Sequence, residues 1–370
     1  MKDVVSRIIK HINMNYGDNI NHGNHDFDVI IDEESKVIKV ALAVPGTMSF
    51  DNATFAKLYP LIATAARPQI TVDRPEFMRI ESTDLHVPFG DAFVYPYRDG
   101  TTERLHDTDE SLFEYFNKTN RIPLMRGVDY DYLHYPHMLI QGLSGSGKTM
   151  FANMILKILV RKFPNKQVLV IDPKVDTMSR TMTFNPLYRG KVRLLVPDKE
   201  KRDASFLESL TSELQRIDDI MNERQWRMLE TGIEEASIAD IHEEPLFIVI
   251  DELGSLVGSV SKKPIKDAFL AVLTRIGNLG RSAGVFLILI SQNADATTLP
   301  TNLRRTISFK LALGNMSSES LQFMFPDLTQ DSLPILPTDK LGGKGRGLLS
   351  ITGQYDTILP LLTPFQGDTQ

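Results

Sequence analysis

The 370-residue chain contains no cysteine. That absence removes disulfides, thiolate zinc sites and thiol nucleophiles together, and it suits a reducing compartment. The chain also lacks any apolar run near the roughly 18 to 20 residues that a membrane-spanning helix needs. Its longest runs, LFIVI at 246–250 and VFLILI at 285–290, have the lengths of buried strands. The opening MKDVVSRIIKHINMNYGD has no continuous apolar stretch and no small-residue cleavage site, so it does not read as a signal peptide. These features predict a soluble, cytoplasmic chain that reaches a membrane only through a partner. A surplus of positive charge is missing too: 41 Lys and Arg stand against 47 Asp and Glu, a net charge of −6. That balance excludes coating nucleic acid by overall basicity but leaves room for a small basic patch. There is no internal repeat or low-complexity tract. With 42% hydrophobic and 24% charged residues, 23 Gly and 20 Pro, the composition is globular, not collagenous, mucin-like or mainly disordered. At roughly 150 residues per domain the length predicts about two domains.

Two regions follow from the patterning. Val4, Val5, Ile8, Ile9 and Ile12 recur at helical spacing and predict an amphipathic helix over 1–20, packed on its own domain or docking a partner. Strand-like pieces (DVIID, VIKVALAV, FMRIES, AFVYPY) then surround a helical stretch, TFAKLYPLIATAA, that closes at Arg67-Pro68. Residues 1–122 therefore read as a small α+β domain ending in a polar linker, 98–122. From 123 to 370, short apolar runs alternate with amphipathic helical stretches such as 150–162 and 206–230. That alternation predicts an α/β domain whose mainly parallel sheet is covered on both faces.

HMLIQG runs into GLSGSGKT at 142–149 and then into an amphipathic helix, the strand–loop–helix context of a P-loop. Gly142, Gly145 and Gly147 permit close approach of backbone to phosphate, and the amides of Ser144, Ser146 and their neighbours can point inward. Lys148 is expected to reach the β- and γ-phosphates of ATP, and Thr149 to give its hydroxyl to Mg²⁺. A second strand, LFIVIDE, ends in two carboxylates at the edge where open α/β sheets bind ligands. Asp251 is expected to hold Mg²⁺ through water and Glu252 to act as general base on the attacking water. Gln292, at the end of VFLILISQ, is the candidate γ-phosphate sensor. His22 and His25 have no thiolate or second ligand pair beside them and read as a solvated loop. His134 and His137 read as shaping the approach to the P-loop.

Six ordered blocks resemble the FtsK/SpoIIIE DNA-translocase motors, within the wider group of pumping ATPases that includes conjugative coupling proteins. They are YPHMLIQGLSGSGKT, VLVIDPK with Asp172-Pro173-Lys174, MNERQWRML, LFIVIDELGSL, RIGNLGRSAGVFLILISQ and NLRRTISFKLAL. The resemblance implies a RecA-like P-loop ATPase core preceded by the family's smaller domain. It further implies a homohexameric ring with ATP between subunits and double-stranded DNA through its centre. It calls for an arginine acting on the neighbour's site: Arg281 first, then Arg304 and Arg305, with Lys344 or Arg346 of GGKGRG as further candidates. Lys262 and Lys263, in VGSVSKKPIKDAF, fall where the family's pore loop carries lysines, and are the expected DNA contacts. Two departures stand out: the chain has neither the membrane segment nor the winged-helix domain of many members, and Arg346 replaces a commonly acidic residue. The stripped-down plan is that of a motor from a plasmid, conjugative element or phage, anchored by a membrane or relaxosome-type protein. Two other functions compete: a secretion-type ATPase that threads protein, and an ATP-gated platform that assembles on DNA without moving it.

Overall fold

The computed structural model describes residues 1–16, 27–42, 51–82, 91–106, 108–199, 204–292, 298–326, 328, 333–336 and 344–364. Within them the chain builds two main sheets. The larger has nine strands in the order 192–195, 168–171, 246–250, 285–291, 138–142, 309–313, 346–351, 357–362 and 74–75. The first six run parallel, and the last three add antiparallel. This is the α/β arrangement that the alternating runs predict.

Its strands are apolar without interruption because both faces are covered. Along Met138–Gly142 and Val285–Ser291, successive side chains enter opposite cores. Met138, Ile140, Phe286 and Ile288 pack with Phe151, Ile155 and Leu159 of the helix Lys148–Lys162. Leu139, Leu287 and Leu289 pack on the other side with Leu210, Leu214 and Ile217 of Ala204–Glu230 and with Phe269 and Leu273 of Lys263–Leu279. Truncating any one of these to Ala removes about 2–5 kcal/mol.

The smaller sheet belongs to the N-terminal region. Its strands Phe27–Asp32, Val37–Leu42, Asp91–Asp99 and Ile70–Val72 lie in that order, and Ile80–Ser82 also pairs with Asp91–Asp99. The helices Lys2–Tyr16 and Asn52–Ala66 share a core with it. Val4, Ile8 and Ile12 are buried there beside Leu58 and Ile62, so the N-terminal helix packs on its own domain. Asp51 caps the second helix by accepting from the Thr54 amide at 2.7 Å.

Three elements differ from the sequence expectation. The polar linker contains a helix, Asp109–Thr119, whose Leu112 and Phe116 are buried in the core beneath the P-loop helix. Only two apolar positions enter that core, too few for the periodicity to register against the charges between them. The apolar run TISFKLAL at 306–313, strand-like in sequence, becomes strand only from Phe309, because 301–306 form a short helix. Finally, Arg74–Pro75 leaves the N-terminal region to pair with Thr357–Leu362, joining the two regions through backbone hydrogen bonds.

His137, just before the P-loop strand, is almost fully buried and has a left-handed backbone (φ +63°). Its Nε2–H donates to Gly277 O at 2.9 Å, and its Nδ1 accepts from the Leu287 amide at 3.0 Å. One imidazole thus ties three elements together. Burial depresses its pKa from 6.5 to about 4. The neutral ring is what the fold requires, so its contribution is complete above pH 6.5 and is lost as the pH falls toward 4. The sum over that interval is about 3 kcal/mol. Urea unfolding between pH 7 and 4 is expected to show this loss, and His137→Phe to remove most of the histidine's share of it while destabilising the protein at pH 7 by about 2–3 kcal/mol through two unpaired backbone groups.

Candidate nucleotide site

The parallel register brings the expected residues to one edge of the sheet. The sensor strand Val285–Ser291 lies between the P-loop strand Met138–Gly142 and the acidic strand Leu246–Ile250, with Ser291 opposite Gln141 and Leu289 opposite Ile250. A cavity of about 350 Å³ opens at these carboxyl ends. Ser144, Gly145, Gly147, Lys148 and Thr149 line it from the loop, Asp251 and Glu252 from the acidic strand, and Gln292 from the sensor strand. Gly142 and Ser146 stand just behind.

Local conformation explains the loop. Gly145 and Gly147 have φ of +80° and +104°, where an L side chain would be strained. With those angles the chain turns straight into the helix Lys148–Lys162, whose free amides face the cavity. Lys148 Nζ donates to the carbonyls of Gly142 and Leu143, the latter at 3.0 Å. Partial burial lowers its pKa, opposed by the carboxylates of Glu252 and Asp251. The Ser146 hydroxyl is buried without a partner among the described residues, a donor ready for an anion.

The acidic pair is held firmly. Glu252 occupies the left-handed region (φ +60°, ψ +59°), a strained conformation for a residue with a side chain. Its Oε1 accepts from the Gln292 amide at 2.9 Å, and its Oε2 lies 3.3 Å from Lys174 Nζ. The carboxylate is thereby aimed into the cavity from two sides. Asp251 is pushed up to about 6, chiefly by burial and then by the neighbouring carboxylates of Asp172 and Glu252. Such crowding is what a bound divalent cation relieves. Thr149 and Asp251 face the same space, and among the described residues no three His, Asp or Glu side chains gather into a cage. This donor set suits Mg²⁺, which takes its other ligands from phosphates and water.

Lys174, quoted in the sequence only as part of a block, proves to line the cavity beside Asp176 and Thr177. Asp172 sets its place. That buried carboxylate accepts from the amides of Lys174, Val175, Asp176 and Ser179 at 3.0–3.1 Å, and from the Ser179 hydroxyl. A strand-end Asp followed by Pro and Lys was the visible signal.

The structure separates the remaining candidates. Arg281 is exposed at the amino end of the sensor strand, the end of the sheet opposite the cavity. Arg304 donates to Phe323 O at 2.9 Å with its guanidinium 4.6 Å from the Phe323 ring, whereas Arg305 is exposed. Lys344 lines the cavity of its own chain, and Arg346 is half-buried with its Nε unpartnered among the described residues. Lys262 and Lys263 are exposed at the start of the helix Lys263–Leu279. His22 and His25 lie outside the described residues.

Residues 117–295 match the FtsK/SpoIIIE family model. Over this stretch the chain is similar to the FtsK/SpoIIIE family. Among curated proteins, the FtsK domain-containing protein YdcQ of Bacillus subtilis (strain 168) is 29% identical over 241 residues, 65% of this chain and 46% of that protein. The DNA translocase FtsK of Helicobacter pylori (strain J99) is 32% identical over 188 residues, 48% of this chain and 20% of that protein. The chain therefore spans less than half the length of these FtsK relatives. Among solved structures, the pCW3 conjugation coupling protein TcpA, in its monomer form with ATPγS, superposes with a TM-score of 0.58 at 14% identity, covering 99% of this chain and 96% of that one. ATPases 2 and 3 of EssC from Geobacillus thermodenitrificans reach 0.50 at 15%, over 72% of this chain and 47% of that one. At these identities the likeness is one of fold: a RecA-like P-loop fold, matched in TcpA across the N-terminal region as well.

Replacing Asp172 by Ala is expected to cost about 3 kcal/mol in denaturant unfolding, because the amides it collects are left unpaired in a buried turn. The same change frees Lys174 from its place beside Glu252.

Proposed function

We propose that the chain is an ATP-driven translocase of double-stranded DNA, working as a homohexameric ring. The observation that carries this is the convergence of Lys148, Thr149, Asp251, Glu252 and Gln292 on one cavity in an FtsK/SpoIIIE domain. On this reading the loop amides and Lys148 hold the β- and γ-phosphates. Thr149 and, through water, Asp251 hold Mg²⁺, which supplies charge neutralisation between those phosphates. Glu252, oriented by Lys174 and by the Gln292 amide, takes the proton from the attacking water. Gln292 reports the γ-phosphate to the sensor strand. Arg281, remote from its own chain's cavity, is suited to serve a neighbour's, where its guanidinium would meet developing phosphate charge.

Lys262 and Lys263 support the nucleic-acid part. Two exposed lysines at a helix start work against the helix dipole, and Lys263 and Lys266 occupy its first turn with no acidic residue there. Folding alone disfavours that placement, whereas contact with phosphate favours it. Six copies gather positive charge around a pore while each subunit stays acidic. No helix among the described residues is long and apolar enough to cross a membrane, so membrane recruitment would fall to a partner of the membrane-anchored or relaxosome type.

ATPase assays with and without linear duplex DNA test the reading. Duplex DNA is expected to raise the rate, Lys148→Ala to abolish nucleotide binding, and Glu252→Gln to lower turnover at least about 100-fold with binding kept. Changing Lys262 and Lys263 together to Ala is expected to remove the stimulation and flatten the salt dependence of DNA binding. If an unfolded peptide raises the rate and DNA does not, the chain threads protein and the DNA reading is overturned.

A further inference from the structure

The wall of the cavity that faces the P-loop is made by the turn at Lys344-Gly345, and this turn is fixed by contacts from three directions. The Gly345 amide donates to Ser146 O of the P-loop at 2.8 Å. The Thr363 amide donates to Gly345 O at 2.7 Å. Arg104, buried although it lies in the polar stretch after the strand Asp91–Asp99, donates from Nη2 to Lys344 O at 2.8 Å and from Nη1 to Thr363 O. The fit leaves no room for side chains on the backbone: a Cβ on Gly147 would come within 2.9 Å of Gly345 N, and one on Gly345 within 2.9 Å of Arg104 Nη1. Gly345 also has φ +68°. The backbone is thus pinned from the Lys344 carbonyl through Gly345, while the Lys344 side chain is exposed, faces the cavity and makes no ion pair among the described residues.

We propose that Lys344 is a second phosphate-binding cation of its own chain's pocket, and that Arg104 is the positioning residue that sets it there. This rests on the nucleotide reading above and adds to it a ligand group and the device that orients it. A nucleoside triphosphate carries more negative charge than Lys148 alone offsets, and Lys174 is already committed to Glu252. Lys344 meets the phosphates from the turn that packs directly on the P-loop at Ser146 and Gly147. Because Arg104 belongs to the segment that leaves the N-terminal sheet, a displacement of that region acts on the pocket through two hydrogen bonds.

The test is ATPγS affinity by titration calorimetry on the full chain. Lys344→Gln is expected to weaken binding about fivefold and Lys344→Glu about tenfold or more, with Lys344→Arg close to wild type and melting temperatures unchanged, since the side chain is exposed. Arg104→Ala is expected to weaken binding about as much as Lys344→Gln, with Arg104→Lys recovering part. The two losses combined are expected to be smaller than their sum, the mark of one residue acting through the other. If wild type binds, Lys148→Ala abolishes binding and Lys344→Glu binds as wild type, Lys344 is no ligand and this inference alone falls. If the losses from Arg104→Ala and Lys344→Gln add fully, the positioning role falls. A wild-type chain that takes up no ATPγS overturns the nucleotide reading itself.

Discussion

Everything at the candidate site depends on the parallel register of three strands. A parallel sheet brings the carboxyl ends of its strands to the same edge, and here the P-loop, sensor and acidic strands are immediate neighbours with the sensor strand in the middle. Residues 149 and 251 are far apart in sequence yet line one cavity because their strands stop at one level. The register in turn depends on the two cores, since a one-residue slip would turn each strand's side chains to the wrong face. Chemistry and packing are therefore not separable in this domain. His137 fastens the other end of the same strands to the helix Lys263–Leu279, so that edge is held as firmly.

The electrostatics of the edge follow from its crowding. Asp172, Asp251 and Glu252 crowd against Lys148 and Lys174 in a small, partly dry space that Lys344 also faces, and the balance is uneven: Asp251 is pushed toward neutrality while Lys174 is spent on Glu252. Such a site stores repulsion that a cation and an anion together can discharge. The strained backbone at Glu252 belongs to the same economy of position. A left-handed residue at a strand end points its side chain where an ordinary strand exit would not.

Much of this was legible in the sequence, and the residues show why. The continuous apolar runs announced a doubly covered sheet because both cores demand apolar side chains. GLSGSGKT and the paired acids were legible because phosphate and metal chemistry restrict residue type at fixed spacing. Lys174 has no role that the sequence reveals: a lone lysine after a strand carries no signature until the fold turns it toward Glu252. Arg104 was invisible for a stronger reason, since a buried arginine in a polar stretch looks like a surface residue until Thr363 and Lys344 are found beside it. The helix at 109–119 was hidden by composition, its two buried anchors outnumbered by charges.

The short pairing of Arg74–Pro75 with Thr357–Leu362 has a consequence for how the chain is made. Beside it, Arg79 reaches Asp356 across 277 residues of sequence. During synthesis the early strand must therefore wait, unmatched, until nearly all of the larger sheet has left the ribosome. Until then the N-terminal region can fold on its own helices but cannot dock. Once closed, the contact covers the start of that strand's backbone edge, at Thr357 and Ile358, which would otherwise lie open to pairing with another chain. The N-terminal region thus serves as a late-arriving seal on the sheet.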